Sequence, residues 1–277
     1  MTPSWRQLNV RFDDWDTVEH TAVTHLGPAL TEASHAGLIE AWFFTRKAEQ
    51  LHPDGHGVAA QGAPRPCWRV RIQGPDEDTV SEALALLHAH LPRATPVIYE
   101  PEVHAFGGAT GMALAHTLFH QDSHHILTYL NHLDTAPRRV QRKELAMLLC
   151  SRLFRAAGQD WYEQGDIWAR IAQNRRPIHE LPPETVHALH PALRRLMTVD
   201  TAQLARDPTS GLAVAADWFT AFDDAGTQLA RLAHEGVLER GLRAVLAHHA
   251  LFAFNRFGLS PASQTLLAHT AATLVFD

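Results

Sequence analysis

Three groups of residues in this sequence have the types and spacing to do chemistry. Arg69 and Arg71 alternate with Trp68, Val70 and Ile72. An extended strand puts both guanidiniums on one face, about 6.6 Å apart along it. Two cations that close repel unless an anion or a pair of carboxylates lies between them, and the planar guanidinium fork suits bidentate carboxylate recognition. A solvated polar face opposite Trp68, Val70 and Ile72 would give the same pattern. The second group is Tyr99-Glu100-Pro101-Glu102-Val103-His104-Ala105-Phe106-Gly107-Gly108, which holds Glu100, Glu102 and His104 within five residues. Such a set binds a cation or orients a general base, and the diglycine permits unusual backbone angles or close approach of a ligand. A plain polar turn is the simpler reading of it. The third group is the late stretch His248-His249-Ala250-Leu251-Phe252-Ala253-Phe254-Asn255-Arg256-Phe257-Gly258. On a helix, His249, Phe252 and Arg256 share one side, and His248, Phe252 and Asn255 overlap it. Polar groups on so apolar a helix need hydrogen-bond partners or a role; Asn255 and Arg256 would also serve as a C-terminal cap before Gly258.

Other chemistry is less well supported. His116 and His120 have the i, i+4 spacing of zinc ligands. There is no HExxH, no cysteine pair nearby and no third ligand, so no metal and no other cofactor is expected. GxGxxG, GxxxxGK[ST], GxSxG and CxxC are all missing, which disfavours nucleotide-dependent and triad-type chemistry. The 20 histidines are scattered along the chain, as a coding bias would leave them.

These residues must be positioned by a chain of 277 residues, 45% hydrophobic and 19% charged, which is ordinary for a folded protein with a real core. A net charge of -6 argues against direct nucleic-acid binding by the molecule as a whole. Two cysteines, Cys67 and Cys150, make no disulfide scaffold. No apolar run approaches the roughly 20 residues that span a bilayer. A cytoplasmic location is expected, with no membrane partner.

The first hundred residues alternate legibly. Gln7–Phe12 reads as a strand, and Asp16 and Thr17 cap a helix with Val18, Ala22, Val23, Leu26, Ala29 and Leu30 on its stripe, stopping near Gly37. Leu38–Arg46 and Cys67–Gln73 read as strands, separated by a Gly/Pro/His loop from Leu51 to Pro66. A helix follows over Asp76–Leu91, then a short strand over Pro96–Tyr99. This β-α-β-β-α-β order is that of a ferredoxin-like fold. From about Met112 the pattern is helical, broken at Ala136-Pro137, Gly158, Arg176-Pro177, Pro182-Pro183 and Pro208. Helices are expected over Leu145–Ala156, Trp161–Asn174, Gly211–Ala233, Leu238–Phe254 and Pro261–Val275. The class is α+β: a sheet half over 1–108 and a mainly helical half over 109–277, together forming one domain.

Five segments in this order resemble the thiopeptide-type bacteriocin biosynthesis domain. They are Trp42–Arg46 (WFFTR), Cys67–Ile72 (CWRVRI), Ile98–Gly108 (IYEPEVHAFGG), Leu118–Leu127 (LFHQDSHHIL) and His248–Ser260 (HHALFAFNRFGLS). That family comprises the glutamate-eliminating C-terminal part of class I lanthipeptide dehydratases and its stand-alone forms. The resemblance covers essentially the whole chain. It implies a lyase that acts on a leader–core precursor peptide after a partner protein has used glutamyl-tRNA to esterify Ser or Thr. Loss of glutamate then leaves dehydroalanine or dehydrobutyrine.

Carried onto this sequence, the resemblance assigns Arg69 and Arg71 to the paired arginines and a histidine of the late helix, His249 before His248, to the essential one. Asn255 and Arg256 match the NR pair, and Glu100, Glu102 and His104 lie in the YEPE segment. The family pattern reads RYGG where this chain has Ala105-Phe106-Gly107-Gly108, so His104 or Arg46 would have to replace the missing arginine. That departure keeps a related activity in view, pyridine synthesis by formal [4+2] cyclisation of a dehydrated thiopeptide precursor. A non-catalytic docking subunit for the glutamylating partner is a third reading, and a homodimer is left open. If His249 is the base it must be neutral, so activity should fall as pH drops through about 6.5.

Overall fold

The computed structural model describes residues 5–48, 65–91, 93–132, 141–175, 182–207 and 211–277. The loop expected from Leu51 to Pro66 and the breaks at Ala136-Pro137, Arg176-Pro177 and Pro208 fall wholly or largely outside them. The chain divides into two compact units. One comprises residues 1–100 with 126–134, the other 101–125 with 135–277.

The first unit carries the sheet. Strands β1 (Trp5–Arg11), β2 (Ala41–Ala48), β3 (Pro66–Gln73) and β4 (Ala94–Val97) pair in the order β2-β3-β1-β4, every neighbour antiparallel. Between β1 and β2 run the short helix α1 (Val18–Thr21), a π turn (Ala22–Leu26) and α2 (Gly27–His35); α3 (Glu77–His90) joins β3 to β4. Order and connectivity are those of the ferredoxin-like arrangement, and the α+β class is as expected. One sheet face is apolar, with Leu8, Val10, Trp42, Phe44, Trp68, Val70 and Ile72 all buried. Glu19 of α1 pairs with Arg46 of β2, and Glu77 of α3 pairs with Arg6 of β1, so these helices lie over that face. The buried stripes Ala22, Leu26, Ala29, Leu30, Ala33 and Val80, Ala83, Leu87 complete the core.

Several boundaries differ from the sequence reading, two of them with a clear local cause. Strand β2 starts at Ala41 because Gly37, at φ +71°, and Leu38 close the end of α2, with the Leu38 N–H donating to Ala33. Strand β4 spans Ala94–Val97 rather than 96–99, because the buried Ala94 pairs with Val10 while Ile98 is 87% exposed.

The second unit is helical. It contains the first part of α4 (Ala109–His132), then α5 (Arg142–Ala156), α6 (Trp161–Asn174), α7 (Pro183–Thr198), α8 (Thr201–Arg206), α9 (Ala216–His234), α10 (Leu242–Phe257) and α11 (Pro261–Phe276). Asp160 and Glu163 form a capping box at α6, and Ser260 caps α11 with Pro261 at its first position. α9 starts at Ala216, later than expected, because a 3-10 turn over Ala213–Ala215 precedes it. No helix among the described residues is long and apolar enough to cross a membrane.

Candidate functional site

In the first unit, the polar face of the sheet is not uniformly solvated. β1 and β2 flank β3 so that Gln7 and Phe43 both sit opposite Arg71, and Asn9 and Thr45 both sit opposite Arg69. Arg71 is 6% exposed. Its guanidinium lies 5.2 Å from the ring centres of both Phe43 and Tyr99. Nε donates to Gln7 Oε1 at 2.8 Å, and Nη1 donates to Thr45 Oγ1 at 2.6 Å and to the Arg69 carbonyl at 3.1 Å. Neutral oxygens and aromatic faces therefore hold this charge beside its neighbour. Arg69 is exposed, and its side chain makes no hydrogen bond or ion pair among the described residues. Arg46 lies on the opposite, helix-covered face, 4.6 Å from the Trp68 ring centre and paired with Glu19. The structure thus groups Arg69 with Arg71 and places Arg46 apart from them. Glu100 is exposed at the end of this unit's first segment.

In the second unit, the turn over 101–108 meets α10. The Phe106 N–H donates to the Glu102 carbonyl at 3.2 Å, and the Gly108 N–H donates to the Val103 carbonyl at 3.0 Å. Gly107 and Gly108 close the turn at φ +85° and +98°, angles that L side chains rarely adopt. His104 is exposed on the turn, and its carbonyl accepts from the Gly107 N–H. Ala105, where the resembled pattern has arginine, presents its carbonyl to Arg240 Nη1 at 2.8 Å. The turn directs Glu102 at α10, where its Oε2 lies 2.7 Å from His248 Nε2. An ionised carboxylate only accepts, so the pair sets Nε2 as the protonated nitrogen and leaves the lone pair on Nδ1. The His248 side chain is 21% exposed and rests edge-on against Phe106 at 4.8 Å, with Phe252 at 5.1 Å. It is an imidazole oriented by a carboxylate at the edge of solvent, the arrangement of a general base.

His249 is buried instead. It is 1% exposed, its ring lies 4.9 Å from Phe106 and 6.0 Å from Phe119, and neither ring nitrogen has a hydrogen-bond partner among the described residues. Burial, with the nearby Arg256 and His248 adding to it, pushes its pKa down to about 3. His249 is neutral throughout the physiological range, so the expected loss of activity through about pH 6.5 cannot come from its protonation.

Below it, Arg256 is fully buried, ion-paired through Nε to the equally buried Asp122 and lying 4.3 Å over Phe119. Asp122 also accepts from Trp218 Nε1 at 2.8 Å. Removing one member of such a pair typically costs about 3–5 kcal/mol, so Arg256 contributes to the stability of this unit through Asp122. Asn255 Oδ1 accepts from Gln264 Nε2 at 3.1 Å, tying α10 to α11. Gly258, at φ +72°, ends the helix as a cap, its N–H on the Asn255 carbonyl and the Leu259 N–H on that of Phe254.

Sequence reasoning missed Asp122, Trp218 and Arg240. Asp122 sits inside the quoted LFHQDSHHIL segment among histidines that drew the attention. Arg240 gives no sequence signal, since its partner is a backbone carbonyl 135 residues earlier. His116 and His120 both lie on α4, and no group of three His, Cys, Asp or Glu among the described residues is placed to hold a metal ion.

Residues 60–275 match the family model for the C-terminal region of lantibiotic biosynthesis dehydratases. Among solved structures, the chain is similar to the tRNA-dependent lantibiotic dehydratase MibB from Microbispora sp. 107891. That similarity has a TM-score of 0.71 at 20% identity and covers 99% of this chain and 28% of that one. It is also similar to TsrL, with a TM-score of 0.60 at 17% identity, covering 99% of this chain and 94% of that one. The chain thus spans little more than a quarter of MibB. The comparison with curated proteins gives no match. With more than half of its length matched by the family model, this chain belongs to the family of lantibiotic biosynthesis dehydratase C-terminal regions.

Proposed function

We propose that this protein eliminates glutamate from glutamylated Ser and Thr residues of a ribosomal precursor peptide. The reading is carried by one observation, the His248–Glu102 pair at 2.7 Å beside the diglycine turn. His248 Nδ1 removes the α-proton of the esterified residue. The electron pair left on Cα forms the Cα=Cβ bond, the Cβ–O bond breaks, and glutamate departs with the ester oxygen as its carboxylate. Glu102 fixes the tautomer and stabilises the imidazolium that forms. Arg69, the exposed member of the arginine pair in the first unit, offers a cation to a carboxylate of the modified precursor peptide in this reading, and Arg71 fixes its surroundings. The glutamyl ester comes from a separate tRNA-dependent protein.

The test is mass spectrometry of a glutamylated precursor peptide incubated with the protein alone. One glutamic acid should be lost per modified residue. His248→Asn should abolish that loss, and His249→Leu should leave it standing. Esters that survive incubation with the unaltered protein would overturn the reading.

Formal [4+2] cyclisation of a dehydrated peptide is favoured by a different observation. Arg71 is largely committed to Gln7, Thr45 and the Arg69 carbonyl under two aromatic rings, and position 105 is alanine. Release of a leader from a dehydrated linear peptide, with no loss of glutamate from the glutamylated one, would establish that reading instead.

A further inference from the structure

We propose that Arg240 is the cation that receives the carboxylate of the departing glutamate, an inference that rests on the elimination reading and adds a residue to it. The chain at 239–240 is fastened to the turn that carries Glu102. The Glu239 N–H donates to the Gly107 carbonyl at 3.0 Å, and Arg240 Nη1 donates to the Ala105 carbonyl at 2.8 Å. Ala105 directly precedes Phe106, whose ring touches His248. Arg240 itself directly precedes Gly241, the N-cap of the helix that bears His248. One guanidinium is therefore pinned to the same turn that orients the base.

Its charge is uncommitted, whereas several other arginines of this unit face a carboxylate. Arg152 faces Asp223, Arg231 faces Glu235, Arg243 faces Asp166 and Arg256 faces Asp122. Arg240 has no carboxylate partner among the described residues, and the adjacent Glu239 carboxylate instead lies beside Gly108. Arg240 is half-buried, and its remaining donors have no partner among the described residues. A guanidinium carries five N–H groups, and the single bond to Ala105 leaves a fork free for a carboxylate, the anion that its planar geometry fits best.

The reaction generates such an anion. As the Cβ–O bond breaks, the neutral ester becomes a carboxylate, and a fixed donor aimed at that developing charge lowers the barrier. Arg240 would hold the leaving carboxylate while His248 holds the proton, so the two products of charge separation are met by two groups that contact one turn.

The test uses the full chain with Arg240→Gln and Arg240→Lys. Glutamine keeps a donor for the Ala105 carbonyl without the charge, so its melting temperature should fall by no more than about 3 °C. Binding of L-glutamate, measured by isothermal titration, should weaken about tenfold or more in Arg240→Gln, and less in Arg240→Lys. Turnover of the glutamylated peptide should drop about 100-fold in kcat for Arg240→Gln, the size expected when one such donor is lost. Unchanged glutamate affinity in Arg240→Gln, or no measurable binding by the unaltered protein, would overturn the assignment. If glutamate binding depends on Arg240 but the unaltered protein leaves glutamyl esters intact, the carboxylate site stands and the elimination reading falls.

Discussion

Two adjacent histidines on α10 sit in opposite surroundings, since one reaches solvent and the other does not. His248 meets Glu102 at the surface, whereas His249 is sealed among Phe106, Phe119 and the Arg256 cation. A histidine whose folded pKa is depressed contributes its full share of stability above its unfolded value of about 6.5. That share is lost as pH falls from there toward the folded value of about 3, because the unfolded chain binds the proton first. The loss runs at up to about 1.4 kcal/mol per pH unit. His249→Leu removes the titration without emptying the space. Its stability relative to the unaltered protein should therefore rise by about 2 kcal/mol between pH 7.5 and pH 5, measured by denaturant unfolding at several pH values. A difference that stays constant over that range would mean that His249 takes up its proton in the folded protein at the same pH as in the unfolded chain. Sequence alone could not choose between the two residues. α10 buries Val245, Leu246, Ala247, Ala250, Leu251, Ala253, Phe254 and Phe257 around its circumference, so its periodicity names no inward side.

At the scale of elements, what the sequence made legible was local and what it hid was pairing across long separations. The alternation of Trp68 to Ile72 acts within a few positions, and the strand it implies is present. The fastening of the 101–108 turn to residues 239–240 and 248 depends on partners more than 130 positions away, and nothing in the local sequence announces it. Glycine shows the same limit. Gly111, in the first turn of α4, reads as a mild helix weakness. In the fold, a β-carbon there would stand 2.0 Å from the Phe106 carbonyl oxygen. That atom is backbone and cannot turn aside, so Gly111→Ala must displace the very turn that carries Phe106 and Glu102. The variant should lose about 3 kcal/mol of stability, at the upper end of overpacking costs. Because the displacement acts on the His248–Glu102 geometry, turnover should fall even at temperatures where the variant stays folded. Gly241→Ser is the contrasting change. Gly241 has nothing within 4 Å of its β-carbon position, its φ is -56°, and serine is a strong N-cap residue. Thermal unfolding should show it neutral or slightly stabilising, and equal effects for the two variants would remove the steric account.

Over the whole molecule, the unusual histidine content becomes a property of charge rather than of any site. The net charge of -6 at pH 7 counts all 20 histidines as neutral, and the isoelectric point is about 6.4. Protonating six of them cancels the charge. Histidine is the side chain whose ordinary pKa lies in this range, while Asp and Glu stay ionised until well below pH 5. Acidification by little more than a unit therefore inverts the sign of the net charge, with His249 holding out because of its burial. Polyanion binding follows the sign of that charge and falls steeply with salt, since it works by counterion release. A free tRNA should accordingly show no gel shift with this protein at pH 7.5 and physiological salt. A shift should appear near pH 5.5 and vanish as salt is raised. This sets apart two explanations for any association with tRNA in a dehydrating system. Binding that is already tight at pH 7.5 would require a dedicated basic surface, and would overturn the view that transfer RNA is handled by a separate glutamylating protein. Binding confined to acid and low salt would be the ordinary behaviour of a histidine-rich surface, with no bearing on the reaction.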